Sequence, residues 1–235
     1  MDSDRFEQAV AAYQPKDFVA ALRRPALAVI AEMKQRTPSM GMLAEDYRPA
    51  DLAHTYAEGG AAAISVLTHM AGFGGRVEHI RAVRAATSLP ILRKDFVTDP
   101  YEVAEARASG ADAVLLIVAA LEPAQLTSLV AVAKSRGVAA LVEVHDEAQT
   151  EAALEAGAQA VGVNHRDLRT FEVDLALTER LRRLVPAEVV VVAESGIHDA
   201  DDARRMREAG ADAILVGEAL MRAGDAAAKI RELSL

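Results

Sequence analysis

A short pattern recurs four times along the chain, and it constrains the fold more than any other feature of the sequence. In each copy a helical stretch ends in a Gly-Ala pair that leads into a short apolar run. The pairs begin at Gly60, Gly110, Gly157 and Gly210, so they recur roughly every 50 residues. One βαβ unit takes about 30 residues or more, so this period indicates two βα units per copy. Four copies therefore predict eight βα units.

The apolar runs are the predicted strands. The four copies contain GGAAAISVL from Gly59, SGADAVLLIV from Ser109, AGAQAVGV from Ala156 and AGADAILVG from Ala209. Between them lie LAVIAEM from Leu27, LPILRKDF from Leu89, VAALVEV from Val138 and EVVVVAE from Glu188. Short apolar runs of this kind are typical of parallel strands covered by helices, and the Gly of each pair is expected to end the preceding helix. We therefore predict a (β/α)8 TIM barrel. An open doubly wound sheet is disfavoured, because we find neither a topological switch nor a Gly-rich dinucleotide loop.

The length of 235 residues fits one such barrel, although length alone would also allow two small domains. No Gly/Ser/Pro-rich linker divides the sequence, so we expect a single domain over residues 1–235. Residues 1–25 precede the first predicted strand and are expected to form a short helical extension, either a lid or a plug. Its clearest helical part runs from Asp17 to Arg23.

Composition excludes several classes of protein. The chain has no Cys, which rules out disulfides and thiolate metal sites. Its net charge of −9 and aromatic content of 4% disfavour binding to nucleic acid. The acidic start, MDSDRFEQAVAAYQ, lacks the features of a secretory signal, and the longest apolar runs, such as Ala113 to Leu121, are too short to cross a bilayer. We expect a cytoplasmic protein with no membrane contact. A monomer is expected, with an oligomer left open.

Charged side chains gather at the C-terminal ends of the predicted strands, where the active site of an α/β barrel lies. The strand period of two sends Glu32 and Lys34 inward, and it puts Lys94 and Phe96 on one face. The predicted pocket at the barrel mouth thus collects three cations and three carboxylates: Lys34, Lys94, Arg166, Glu32, Glu143 and Glu194. Any one of them could be an ordinary ion pair at a solvated strand end, but the group as a whole indicates proton-transfer chemistry.

Two glycines at the ends of the last two strands suggest an anion-binding site. Gly196 follows strand 7 and Gly217 follows strand 8, and each loop is expected to place backbone N–H groups at the N-terminus of a short helix. Glycine lets the backbone approach a phosphate closely. The alternative is that each glycine only permits a tight turn.

The histidines and the loop that begins at Met70 say less about function than the charged residues do. The residues His54, His69, His79, His145, His165 and His198 show no metal-ligand spacing, so we predict no metal site. His145 and His165 follow strands 5 and 6, and we interpret them as solvated loop residues, with a place at the mouth as the alternative. The loop MAGFGG from Met70 has the glycines of a mobile flap. Its Phe73 could pack on a flat ligand, although an ordinary loop is the other interpretation.

Eight motifs follow one another between about Phe18 and Met221. They are IAEMKQRTPSMG, ISVLTHMAGFGG, LPILRKDF, ADAVLLIV, LVEVHDE, VGVNHRDLRTFEVDL, AESGI and ILVGEALM. In this order they resemble the motifs of the indole-3-glycerol phosphate synthase family. The resemblance implies conversion of 1-(2-carboxyphenylamino)-1-deoxyribulose 5-phosphate to indole-3-glycerol phosphate by ring closure, decarboxylation and dehydration. It implies no cofactor and no metal.

The resemblance also implies roles for individual residues. Lys94 is similar to the general acid of ring closure, and Glu143 with Lys34 to the base and acid of dehydration. The residues expected to orient groups or share protons are Glu32, Asn164 and Glu194, and those expected to contact substrate anions are Thr37 and Arg166. The residues expected to surround the aromatic ring are Phe73, Phe96 and Leu115. The residues expected to bind the phosphate are Ser195, Gly196, Gly217 and Glu218.

The chain departs from the family pattern at several places. The segment before strand 1 is short, the flap carries His69 to Gly72 in place of charged and aromatic residues, His165 replaces the usual Asn, and Glu218 replaces a common Ser. Three alternatives stay open at this point. They are another barrel acting on a sugar phosphate, an aldolase that forms a Schiff base through Lys94, and a catalytically impaired or repurposed phosphate-binding paralogue.

Overall fold

Eight parallel strands form a closed barrel in the computed structural model, which describes residues 8, 10–37, 41–167 and 169–235. Each strand pairs with its neighbours in sequence, and the last pairs with the first. The strands are β1 (Ala28–Met33), β2 (Ala63–Leu67), β3 (Ile91–Lys94), β4 (Ala113–Ile117), β5 (Ala139–Val144), β6 (Ala160–Asn164), β7 (Val190–Glu194) and β8 (Ala213–Val216). The predicted (β/α)8 fold is confirmed.

Helices surround the barrel. Within the described residues they are α1 (Phe18–Leu22), α2 (Pro49–Glu58), α3 (Met70–Phe73), α4 (Val77–Ala86), α5 (Pro100–Ala108), α6 (Pro123–Ser135), α7 (Glu147–Glu155), α8 (Leu177–Arg182), α9 (Ala200–Glu208), α10 (Glu218–Arg222) and α11 (Ala226–Leu233), with a 3-10 turn at Val118–Ala120. None of these helices is long and apolar enough to cross a membrane.

The repeated glycine has the conformation that the pattern predicts. Gly60, Gly110, Gly157 and Gly210 follow the ends of α2, α5, α7 and α9, and all four have φ between 86° and 97°. Glycine adopts this left-handed conformation without the steric cost that a Cβ brings, so it ends a helix and turns the chain into the next strand. Each repeat therefore encodes one helix end and one strand start.

The side chains of each strand alternate between the barrel interior and the surrounding helices, so the protein has two hydrophobic cores. In β1 the side chains of Ala28 and Ile30 face the barrel interior, whereas those of Val29 and Met33 pack against the outer helices. Because successive side chains in a strand point to opposite faces, one apolar run can fill both cores. This explains why the predicted strands are almost continuously apolar.

The N-terminal extension is a plug. Phe18 and Leu22 of α1 are buried against the barrel interior, together with residues at the N-terminal ends of the strands. Asp112 accepts hydrogen bonds from the Tyr13 hydroxyl and the Lys16 amide, both at 2.6 Å, and so fastens the segment before α1. The extension thus closes the end of the barrel opposite the predicted pocket. Its residues 1–7 and 9 lie outside the described residues.

Removing the plug's largest side chain is expected to destabilise the barrel. Phe18→Ala should lower the free energy of unfolding by about 3 to 5 kcal/mol, because Phe18 is 1% exposed and its loss leaves a cavity. Chemical denaturation measures the change, and Leu184→Ala, at a side chain that is 39% exposed, is the control. Equal stability of the two variants would contradict a packed plug.

The segment after β1 contains a feature that the sequence analysis did not predict. Arg36–Thr37 and Gly41–Met42 form a two-stranded antiparallel sheet beside the barrel mouth. The residues between them, 38–40 of the motif IAEMKQRTPSMG, lie outside the described residues. The predicted flap begins as helix α3, which ends at Gly74 with φ 71°. Its mobility stays a prediction.

Candidate active site

A cavity of about 240 Å³ opens at the C-terminal ends of the strands, and all of the predicted site residues line it. They are Glu32, Lys34, Thr37, Phe73, Lys94, Phe96, Leu115, Glu143, Asn164, Arg166, Glu194, Ser195, Gly196, Gly217 and Glu218. These residues come from all eight strands or the loops that follow them, and most lie at or just beyond the C-terminal end of a strand. The parallel arrangement brings them together because it puts every C-terminal strand end at the same rim.

Lys94 lies at the centre of the charged group. Its Nζ is 3.4 Å from Glu143 Oε2 and 3.4 Å from Glu194 Oε2, and its side chain is 15% exposed. Burial alone would lower the pKa of Lys94, but the charges of Glu194, Glu143 and Glu32 outweigh burial and raise it above its usual range. The ammonium therefore carries a proton that it can donate to an oxygen in the cavity.

Glu32 and Lys34 form a second charged pair in the cavity. Lys34 Nζ lies 2.6 Å from Glu32 Oε1. Burial alone would raise the pKa of Glu32, but the charges of Lys34 and Lys94 lower it overall, so Glu32 is a carboxylate. A Cβ on Gly217 would lie 2.4 Å from Glu32 Oε1 and 3.0 Å from Lys34 Nζ. Glycine at 217 thus makes room for this ion pair, in addition to any role toward an anion.

Glu194 differs from the other two carboxyl groups. Among the described atoms, neither of its carboxyl oxygens has a hydrogen-bond partner. Burial raises its pKa to about 8, against the lowering effect of Lys94, and the charges of Glu143 and Glu32 add to the rise. A Cβ on Gly162 would lie 2.2 Å from Glu194 Oε1, so glycine leaves the space that this carboxyl group occupies. Glu194 therefore keeps its proton to a higher pH than an exposed glutamate does.

The proton on Glu194 makes stability depend on pH. Its pKa rises from 4.5 to about 8 in the folded protein, so over this range the native state binds a proton that the unfolded chain releases. The contribution of Glu194 to the free energy of unfolding should then fall as pH rises through this range, whereas a glutamine side chain at this position has no proton to lose.

We therefore expect Glu194→Gln to gain stability relative to the wild type as pH rises across that range. Urea denaturation at one pH below the range and one above it measures the difference. Glu188→Gln, at an exposed position, is the matched control. A difference between Glu194→Gln and the wild type that does not change with pH would contradict the assignment.

Asn164 connects the charged group to the turn after β7. Its Nδ2 donates to Glu143 Oε1 at 3.1 Å. Its Oδ1 accepts from Ser195 Oγ at 2.8 Å and from the Arg166 amide at 3.1 Å. These bonds orient the amide, so that its N–H group faces the carboxylate of Glu143.

An aromatic wall lines the mouth of the cavity. The His69 ring lies edge-on to Phe96, with centroids 5.3 Å apart, and to Phe73 at 6.5 Å. His69 Nδ1 is 3.5 Å from Asp95 Oδ1. Phe96 is 47% exposed and presents a free apolar surface to the opening. The strand period predicted only Lys94 and Phe96 here, but β3 ends at Lys94, so the alternation stops and Asp95 also lines the cavity.

The two predicted anion-binding loops differ from each other. After β8, helix α10 begins directly at Glu218, and no side chain caps its first turn. After β7, however, the N-terminus of α9 is capped by Asp199, which accepts from the amides of Asp201 and Asp202 at 3.0 Å. Two of the first amide groups of α9 are therefore bonded within the chain, and a phosphate contact after strand 7 stays a prediction. Ser195 and Gly196 form a turn with φ 71° and 75°.

The interpretation of His165 as a solvated residue is also wrong. His165 is 2% exposed, because helix α8 and the loop before it fold over the end of β6. His145 is partly buried, with Nε2 3.6 Å from Glu143 Oε1. Among the described residues that line the cavity, neither histidine is found.

Sequence reasoning missed several residues of the site. His198 and Phe171 line the cavity, but each comes from an irregular loop with no periodic signal. Gly162 was missed although a signal existed, because glycine inside a strand marks a close approach of another group. Within the described ranges, no cluster of three His, Asp or Glu side chains is arranged to hold a metal ion.

Solved structures share the barrel. Thiamine phosphate pyrophosphorylase from Pyrococcus furiosus superposes with a TM-score of 0.68 at 23% identity, covering 88% of this chain and 93% of that one. Orotidine 5'-phosphate decarboxylase from Pyrococcus horikoshii superposes with a TM-score of 0.67 at 16% identity, covering 87% and 97%. At these identities the similarity establishes the fold alone.

Sequence comparison establishes the family. The sequence profile of indole-3-glycerol phosphate synthase matches residues 2–233. Indole-3-glycerol phosphate synthase 2 of Streptomyces coelicolor is 60% identical over 227 residues, which cover 97% of this chain and 88% of the relative. Indole-3-glycerol phosphate synthase of Roseiflexus sp. is 52% identical, with 96% and 87% covered. The chain, which has the charged pocket described above at the mouth of its barrel, therefore belongs to the indole-3-glycerol phosphate synthase family.

Proposed function

We propose that this protein is an indole-3-glycerol phosphate synthase, a carboxy-lyase of tryptophan biosynthesis. Its substrate is then 1-(2-carboxyphenylamino)-1-deoxyribulose 5-phosphate. The observation that carries the proposal is the position of Lys94, whose ammonium lies 3.4 Å from each of two buried carboxyl groups in the cavity of a member of this family.

Ring closure is the first step. The ring carbon that bears the carboxylate forms a bond to the sugar carbonyl carbon, and the carbonyl electron pair moves onto oxygen. Lys94 donates a proton to that oxygen, which stabilises the developing charge. The carbon–carbon bond to the carboxylate then breaks, carbon dioxide leaves, and its electron pair restores the aromatic ring. Glu194, whose pKa is raised and whose Oε2 lies 3.4 Å from Lys94 Nζ, returns a proton to Lys94.

Dehydration is the second step. Glu143 removes a proton from the carbon skeleton, Lys34 donates a proton to the departing hydroxyl group, and water leaves as the double bond of the indole forms. The hydrogen bond from Asn164 orients Glu143, and the 2.6 Å ion pair with Glu32 orients Lys34. Base and acid thus come from different sides of the barrel, which suits removal of two groups from adjacent atoms.

The rest of the cavity fits the other parts of the substrate. Phe73, Phe96 and Leu115 offer an apolar wall to the aromatic ring. Thr37 and Arg166 are assigned to the substrate anions. The phosphate is assigned to the loops after β7 and β8, with Ser195, Gly196, Gly217 and Glu218. The Glu218 carboxylate lies 3.3 Å from Arg222 Nε, so its charge is paired and its backbone N–H group is the expected contact.

A fluorescence assay for indole-3-glycerol phosphate tests the proposal. Purified protein should convert the substrate with steady turnover and with no added metal or cofactor. Tight substrate binding without turnover would overturn the proposal in favour of a repurposed barrel. Borohydride added with substrate should leave the protein unmodified, whereas covalent trapping at Lys94 would indicate an imine-forming aldolase.

We further propose that residues 1–235 act as one domain and as a monomer in the cytoplasm, with no nucleic-acid partner. The continuous barrel, with no linker between its units, supports the first of these proposals. Sedimentation velocity tests the second, and a dimer at micromolar concentration would overturn it.

A further inference from the structure

A buried histidine lies directly behind the cavity and joins two strand ends. His165 follows β6, and its backbone N–H group donates to Glu194 O at the end of β7 at 3.0 Å. Its Nδ1 lies 2.8 Å from Ser195 O, and its Nε2 lies 2.7 Å from the hydroxyl oxygen of Thr178 in α8. The imidazole therefore bridges an outer helix and the turn that lines the cavity.

The partners of His165 determine where its proton lies. The carbonyl oxygen of Ser195 only accepts hydrogen bonds, so Nδ1 must carry the hydrogen. The neutral Nε2 then accepts from the Thr178 hydroxyl. Burial lowers the pKa of His165, which favours the neutral ring. Both ring nitrogens are satisfied in a single tautomer, with a single orientation of the ring.

Ser195 has a backbone conformation that needs support. Its φ is 71°, in the left-handed region that is unfavourable for a residue with a Cβ. The bond from His165 holds its carbonyl group, and the bond from its own Oγ to Asn164 Oδ1 holds its side chain at 2.8 Å. In this conformation Ser195 and the following Gly196 both line the cavity.

We propose that His165 is a positioning residue for catalysis: its Nδ1–H group fixes the Ser195–Gly196 turn in the geometry that binds the substrate. The inference rests on the proposed function, which assigns the phosphate to this turn. Asn164 transmits the effect further, because the same Ser195 hydroxyl orients the amide that donates to Glu143.

Two substitutions test the hydrogen bonds of the two ring nitrogens one at a time. In His165→Asn the Nδ2 atom occupies nearly the position of Nδ1, so it retains the bond to Ser195 and loses the bond to Thr178. In His165→Gln the terminal amide reaches the position of Nε2, so it retains the bond to Thr178 and loses the bond to Ser195. The pair is matched in polarity, and each variant breaks one buried hydrogen bond.

The expected kinetic result is asymmetric. Loss of one buried hydrogen bond to the turn should lower kcat/KM of His165→Gln by about tenfold, mainly through a higher KM, because the turn binds a part of the substrate that does not react. His165→Asn should stay within about threefold of the wild type. Equal losses in the two variants, or a larger loss in His165→Asn, would overturn the inference.

Two further measurements do not depend on turnover. Nitrogen-15 NMR of the histidines should identify His165 as the Nδ1–H tautomer, and the Nε2–H tautomer would overturn the inference. Crystal structures of the variants should retain the positive φ of Ser195 in His165→Asn and lose it in His165→Gln. An unchanged turn in His165→Gln would also overturn it. These readouts remain decisive if the wild type proves inactive, so failure of the inference is distinguishable from failure of the proposed function.

Discussion

Lys94→Met should lower kcat for indole-3-glycerol phosphate formation by about 10³-fold, within the range that general acid catalysis contributes. Met has a similar length and apolar stem but no proton to donate. Without the ammonium, Glu143 and Glu194 also lose the cation that lies 3.4 Å from each of them. Ring closure then lacks both its proton donor and the positive charge that stabilises the developing oxyanion.

Release of carbon dioxide locates the defect in the reaction. Because ring closure precedes decarboxylation, Lys94→Met should release no burst of carbon dioxide from carboxyl-labelled substrate in a single turnover. Lys134→Met, at an exposed position of α6, is the matched control and should behave as the wild type. A Lys94→Met variant that keeps a tenth of the wild-type kcat would rule out Lys94 as the general acid.

Glu143→Gln should reduce product formation by about 10² to 10³-fold, but at a later step. Gln keeps the size of the side chain, and its amide oxygen can accept the hydrogen bond that Asn164 donates at 3.1 Å. The variant lacks a base for dehydration, whereas Lys94 remains available for ring closure. It should therefore release carbon dioxide in the first turnover while indole fluorescence stays low.

The two variants thus test whether Lys94 acts in ring closure and Glu143 in dehydration. Glu122→Gln, at an exposed carboxylate just before α6, controls for the loss of one negative charge. If Glu143→Gln blocked carbon dioxide release as completely as Lys94→Met, Glu143 would be required for ring closure. Its assignment to dehydration alone would then be wrong.

The barrel was predictable because its signals are local. A glycine that ends a helix and an apolar run that forms a strand are properties of a few consecutive residues, and four copies of that unit repeat in the sequence. Convergence of Lys34, Lys94 and Glu143 followed from the same pattern, since parallel strands end at a common rim. The alternation of side chains along strands did not predict the positions of residues beyond the strand ends. It missed Asp95 just beyond β3, and it assigned His165 to solvent although a loop and a helix cover it.

Local sequence was thus sufficient for the architecture, the end of the barrel that holds the site and the residue types within it. Only contacts between distant segments decided how those residues behave. The pKa of Glu194 depends on burial and on the charges of Lys94, Glu143 and Glu32, which come from three other strands. The same holds for the space that Gly162 leaves for Glu194 and for the bridge that His165 makes to Ser195. Electrostatic and packing energies depend on distances through space, and these distances exist only once the chain has folded.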